Sequence, residues 1–253
     1  MPRTMRSPAR QQRKPRVSGP LLAAAIRPLA VALLAVCVAI TALLGLWLMH
    51  QSQADWLDSV IDWGLRVNLY RHRAILIRLG ELADPLQTTE IAAALVLACL
   101  LTRRWRGALL VAVAIPAAGA LTEYLLKPLF DRTAQGHLEF PSGHSTGAFA
   151  MAAVCVVLLL GPLRPRLPDT LRKFLAVAAA LTAAGVAVAV VALDFHYFTD
   201  TVAGAAVGTA VVLATALLLD RLIPSGSPDR PAAIPPEAAR NGADSPARSG
   251  AES

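Results

Sequence analysis

Long apolar runs, separated by short polar stretches, dominate the hydropathy pattern of this chain. They extend from about Pro28 to Met49, Leu86 to Leu101, Ala108 to Leu126, Gly143 to Leu160, Phe174 to Leu193 and Thr201 to Leu219. A helix rises 1.5 Å per residue, so about 20 apolar residues cross a hydrocarbon core of roughly 30 Å. The pattern predicts an all-α, polytopic membrane helix bundle of six transmembrane helices. The segment from Asp55 to Asp84 also places apolar residues at helical spacing, but it carries Asp58, Asp62, Arg66, Arg71, Arg73 and Arg78. Each charge at a helix centre costs about 2.5–3.5 kcal/mol on insertion, so residues 55–84 read as an interfacial amphipathic helix rather than a span.

Flanking regions complete the organisation. Residues 1–27 read as a basic cytoplasmic tail, with Arg3, Arg6, Arg10, Arg13, Lys14 and Arg16 and no acid before the first run. That run is long and lacks a clean cleavage site, which favours a retained first span over a removed leader. Residues 28–222 form the six-span membrane domain, with its polar motifs concentrated in residues 108–219. After Ile223 the chain is rich in Pro, Ser, Gly and Ala, a composition that buries no core, so residues 223–253 read as a disordered cytoplasmic tail.

Composition strengthens the membrane assignment. Hydrophobic residues make up 55% of the 253 positions and the mean hydropathy is +0.53, above the roughly 45–50% apolar content of soluble domains. The net charge of +7 does not point to nucleic acid, because the basic residues fall in short clusters between apolar runs with no basic and aromatic strip. With six spans, Arg103, Arg104 and Arg106, the connection from Arg164 to Lys173, and Arg221 share one side with both termini. By the positive-inside rule that side is cytoplasmic, and the expected location is the plasma membrane. Cys37, Cys99 and Cys155 lie in separate apolar runs, without metal-ligand spacing, and read as packing residues.

This topology brings the polar motifs to the other, extracytoplasmic face. Lys127 ends the third run, Pro141-Ser142-Gly143-His144 opens the fourth, and His196 to Asp200 joins the fifth to the sixth. The Pro-Ser-Gly-His turn offers a helix N-terminus, whose free N–H groups and partial positive charge accept an anion. His196 and Asp200, four residues apart, are close enough to pair on one helical turn, which would fix the imidazole tautomer and free the other nitrogen as a nucleophile. Read without chemistry, the same pair is a helix cap with Asp200 as N-cap. Lys127 suits phosphate as a point charge and Arg132 as a bidentate grip, whereas a lone lysine at a span end also simply snorkels. Glu123, one turn before Lys127, either positions the lysine or competes with an anion. His137 reads as a loop residue turned away from the ligand, and Asp194 equally as an orienting or a solvated acid.

Lys127, the stretch Phe140-Pro141-Ser142-Gly143-His144, and His196 to Asp200 followed by Thr201-Val202-Ala203-Gly204 resemble, in order and at helix ends, the type 2 phosphatidic acid phosphatase family of lipid phosphate phosphatases. The resemblance spans roughly Ala108 to Leu219. It implies a metal-independent hydrolase acting on a phosphate monoester or diphosphate of a membrane lipid, with no cofactor. His196 would be the nucleophile, Asp200 its orienter and His144 the acid, while Lys127, Arg132, Ser142 and Gly143 would hold phosphate. Two family arginines are absent, Ala134 and Val190 standing in their places. By analogy with a deleted oxyanion donor, each loss costs on the order of 3 kcal/mol of transition-state stabilisation. The alternative is therefore a weak or inactive member that binds lipid phosphates or scaffolds membrane partners.

Overall fold

The computed structural model describes residues 19–134, 136–162 and 167–223. The expected tails, apart from residues 19–27 and Ile223, lie outside the described residues. Every long element is a helix: α1 (Arg27–Leu48), α2 (Trp56–Leu69), α3 (Arg73–Glu81), α4 (Pro85–Leu101), α5 (Trp105–Ala120), α6 (Lys127–Phe130), α7 (Gly143–Leu160), α8 (Asp169–Ala192) and α9 (Phe198–Leu222). A π-helical segment, Leu121–Leu126, joins α5 to α6. The all-α polytopic bundle expected from the apolar runs is the architecture observed.

Five helical segments are long and apolar enough to cross a membrane: Ala24–Leu48, Trp105–Phe130, Gly143–Leu160, Asp169–Ala192 and Phe198–Leu222. The expected sixth span differs. With 17 residues, α4 is about 25 Å long at 1.5 Å per residue, and it reaches span length together with Trp56–Glu81, from which it bends by 54°. Pro85 at its first turn, after Asp84 in extended conformation, starts the new helix and produces the bend.

The outer surface is apolar. On α1, Leu29, Val36, Val38, Leu43 and Leu46 are all more than half exposed, the inverse of a soluble helix. On α2 the polarity is likewise reversed: Trp56, Val60, Trp63 and Val67, continued by Tyr70 just after it, form an exposed apolar stripe, while Asp58 and Asp62 are buried against the protein.

Inside, α7 packs on α8 and α9, α1 on α9, and α5 on α9 and α7. The central cluster draws on Leu110, Val111, Ala114 and Ala118 of α5, Ala150 and Val154 of α7, and Val212 and Ala216 of α9. Small residues let these backbones approach closely, as packing between membrane helices requires. The closest approach is at Gly204 and Gly208, one turn apart on α9. A Cβ there would stand 2.4 Å from the Ser142 carbonyl oxygen and 2.3 Å from that of Thr146. Both glycines therefore press α9 onto the first turn of α7.

The opposite helix ends are tied by arginines. Arg106 bonds Asp220 at 2.6 Å, Arg104 donates to the Leu158 carbonyl and Arg172 to that of Leu159. Arg104, Arg106 and Arg172 thus gather at the end of the bundle away from Lys127, His144 and His196.

Candidate active site

Three chain crossings deliver the chemistry-bearing residues to one cavity of about 660 Å³. The π-helical segment widens the helix just where Glu123 and Lys127 leave it, an irregularity that often marks functional positions. Both side chains line the cavity and pair at 2.9 Å. Beyond α6 a two-stranded hairpin, β1 (Thr133–Ala134) and β2 (His137–Leu138), folds over the opening, with Thr133 paired to Leu138 and Ala134 to His137. Gly136 turns it at φ +84°. The chain then passes Glu139 and the buried Phe140 into the Pro-Ser-Gly-His turn, where Ser142 is the N-cap of α7 and its Oγ accepts from the Ser145 N–H at 3.3 Å.

His144, on the first turn of α7, and His196, in the loop before α9, line the cavity with ring centroids 5.6 Å apart. Asp84, the residue before α4, holds His144 Nε2 at 3.2 Å. The His196 N–H donates to the Val190 carbonyl at the end of α8, which fixes where the imidazole starts. Glu139 Oε2 lies 2.6 Å from His196 Nδ1, with both side chains largely buried, although the carboxylate meets the nitrogen off the axis of its N–H.

Lys127, Gly143, His144 and His196 come together as expected. Three other candidates do not reach the cavity. Arg132 is fully buried and spent on acids: Nη2 bonds Asp58 at 2.6 Å, while Nη1 bonds Asp200 at 2.6 Å and Thr199 at 2.7 Å. Its guanidinium also lies 4.6 Å above the Tyr197 ring. Asp200 correspondingly does not orient His196. Its Oδ1 accepts from Arg132 and its Oδ2 from the Tyr197 N–H, as the third residue of a capping box at the start of α9. A buried guanidinium must be paired, and two carboxylates on the elements beside it outcompete a distant ligand. Ser142 is buried as an N-cap and does not line the cavity.

The acidic residues of α2 explain this wiring. Asp58 accepts from the Thr199 N–H at 2.8 Å and Asp62 from the Phe198 N–H at 3.1 Å, so two carboxylates satisfy the first amides of α9. Burial, with the negative charge of Asp58 second, pushes the Asp62 carboxyl up to about 7. Arg66 reaches the other end of the same loop at Asp194, 2.8 Å away.

Other readings shift. His137 lines the cavity instead of turning away, and Asp194 lines it while paired to Arg66. Ala134 also lines the cavity, whereas Val190 is fully buried in an apolar cluster with Ala83 and Val186. Among the described residues Lys127 is the one Lys or Arg lining the cavity, against Glu123, Glu139 and Asp194. The cavity therefore offers an anion one cation, histidines and a helix N-terminus. Glu123 Oε1 stands only 2.8 Å from where a Cβ on Gly143 would be, so that N-terminus is shared with a carboxylate. Among the described residues no group of three or more His, Cys, Asp or Glu side chains is arranged to hold a metal ion.

The sequence model of the PAP2 superfamily matches residues 115–224, which hold most of these cavity residues. Over these 110 of its 253 residues the chain is similar to the PAP2 superfamily. The PAP2 segment begins at Ile115 in α5 and covers the π-helical segment, the hairpin, α7, α8 and α9, which carry every cavity residue named above; Asp84, the partner of His144, precedes it. In three dimensions the chain is similar to the crystal structure of a transmembrane PAP2-type phosphatidylglycerolphosphate phosphatase from Bacillus subtilis. The TM-score is 0.60 at 18% identity, over 76% of this chain and 96% of that one. At that identity the likeness establishes the PAP2 fold. No curated protein sequence matches the chain.

Proposed function

We propose that this protein is a membrane lipid-phosphate phosphatase that works through a phosphohistidine at His196. The observation that carries this reading is the pairing of His144 and His196, 5.6 Å apart between ring centroids, in one cavity with Lys127, the first residue of α6. Phosphoryl transfer needs an in-line nucleophile, an acid for the leaving group and positive groups on the equatorial oxygens. In the first step the Nε2 lone pair of His196 attacks phosphorus, the ester P–O bond breaks, and His144 gives its proton to the leaving oxygen. In the second, water attacks the phosphohistidine, His144 takes a proton from it, and the N–P bond breaks with its electron pair returning to Nε2. Lys127 and the Gly143 end of α7 support the phosphoryl oxygens. Ser142 contributes by starting that helix.

In this reading the substrate is a phosphate monoester or diphosphate of a membrane lipid. Phosphatidic acid, phosphatidylglycerol phosphate and polyprenyl phosphates offer the same phosphate to these groups. The exposed apolar faces of α1 and α2 favour a lipid setting, and the arginines at the far end of the bundle favour an extracytoplasmic cavity. Purified protein in detergent, without added metal, is expected to release phosphate from this lipid panel. Absence of release from every member, or full activity in His196→Ala, overturns the reading.

A second reading, a non-catalytic member that binds lipid phosphates, draws on the burial of Arg132 and on Ala134 and Val190 at the family arginine positions. Trapping phosphate on His196 after rapid quenching with labelled substrate excludes it.

A further inference from the structure

We propose that Glu139, and not Asp200, is the residue that positions the His196 imidazole. The proposal rests on the phosphatase reading only for its catalytic consequence, since the contact itself is geometric. Glu139 Oε2 is 2.6 Å from Nδ1, and the two side chains are 14% and 7% exposed, so little water competes for either. The carboxylate is delivered from a fixed point. The Glu139 N–H donates to the Arg132 carbonyl at 2.9 Å, Leu138 before it is paired in the hairpin, and Phe140 after it is fully buried edge-on against Phe130. From the other side the imidazole is fixed by the backbone bond from His196 to Val190.

Asp200 is not available for this work. Its two oxygens are engaged by Arg132 and the Tyr197 N–H, and Arg132 is itself held by the fully buried Asp58. Turning Asp200 toward His196 would leave a buried guanidinium short of a partner and break the cap of α9. The two carboxylates therefore divide between them what one residue four positions after the histidine would do. Asp200 secures the helix start, and Glu139 takes the ring.

With a carboxylate at Nδ1, the proton resides there and Nε2 keeps its lone pair for the cavity. When Nε2 bonds to phosphorus, the ring holds Nδ1–H and a positive charge, which the Glu139 carboxylate neutralises. An off-axis contact of this kind tightens when substrate is bound.

The test has two arms on the full chain in detergent micelles. Long-range proton–nitrogen NMR of histidine-labelled protein, with His196 assigned through His196→Gln, reads the tautomer of the neutral ring directly. The Nδ1–H form is expected in the wild type and in Asp200→Asn, with a shift to Nε2–H in Glu139→Leu. Phosphate release from dioleoyl phosphatidic acid in mixed micelles is the second arm. Glu139→Leu is expected to lower kcat by about 10²- to 10⁴-fold with KM unchanged, the scale seen when a base loses its orienting carboxylate. Glu139→Asp is expected to restore part of it. A tautomer that shifts in Asp200→Asn but not in Glu139→Leu overturns the proposal, as does a Glu139→Leu enzyme with wild-type kcat. A wild type inactive on every lipid phosphate sinks the phosphatase reading instead, and the tautomer arm still decides which acid holds the ring.

Discussion

Arg132 Nη1 lies 2.6 Å from Asp200 Oδ1, and both side chains are completely buried. Together with Asp58 and Thr199 they form a polar knot where α2, the residue before β1 and α9 meet. Such a knot specifies how the elements dock, because these charged and polar partners meet only in this arrangement. Removing one partner strands the others. Arg132→Met leaves two buried carboxylates uncompensated and is expected to cost about 3–5 kcal/mol, read as a drop in midpoint on thermal or denaturant unfolding in detergent. The folded fraction is expected to keep its KM for lipid phosphate, since Arg132 does not line the cavity. A raised KM at unchanged stability would return Arg132 to the phosphate clamp.

The contact of Gly204 and Gly208 with α7 yields a steric prediction. A methyl at position 208 would stand 2.3 Å from the Thr146 oxygen and 2.8 Å from the Ala150 nitrogen, both backbone atoms that cannot step aside. Gly208→Ala is expected to destabilise by about 1–3 kcal/mol through overpacking. Gly204→Ala pushes on the Ser142 carbonyl, 2.4 Å away, and is expected to reduce phosphate release in the folded protein as well. Gly64 has open space around its Cα, so Gly64→Ala is expected to gain roughly 0.5–1 kcal/mol. Equal melting curves for all three variants would show that α9 does not depend on this close approach.

Much of this was legible in the sequence, for identifiable reasons. Membrane helices advertise themselves by uninterrupted apolar length, so α1, α7, α8 and α9 followed from hydropathy alone. Lys127, Gly143 and His144 were readable because they sit at helix ends, where few arrangements are open. Arg132 and Asp200 were misplaced because spacing shows what residues can reach but not which partner wins. Their partner, Asp58, lies on a segment whose charges are evident but whose docking site is not. Glu139 carried no periodic signal, being in a loop two residues before Pro141. Asp84 carried the Asp-Pro signature of a helix start, and only the bend at Pro85 turns it toward His144.

Glu123 is expected to set the anion affinity of the cavity. Its carboxylate bonds Lys127 at 2.9 Å and abuts Gly143, the two groups proposed to hold phosphate. In Glu123→Gln the lysine is released and the like charge removed. Inhibition by inorganic phosphate is expected to tighten about threefold to fivefold, or roughly 0.6–1 kcal/mol for a pair this exposed. Weaker inhibition would mean that Glu123 is needed to aim Lys127.

Asp62 gives the fold a pH dependence whose sign follows from its environment. It lies on α2, outside the five long apolar segments, and burial raises its carboxyl to about 7 from an ordinary 3.8. Between those values the folded protein binds a proton that the unfolded chain has already released, so this group makes stability fall as pH rises from about 4 to 7. Below that window both states are protonated, and above it both are ionised with the full penalty present. Asp62→Asn keeps an oxygen for the Phe198 N–H but cannot ionise. The melting temperature of the variant is therefore expected to match the wild type near pH 4, exceed it progressively up to pH 7, and hold a constant lead beyond. A difference that does not change with pH would show that the Asp62 carboxyl is ionised in the folded protein across the whole range.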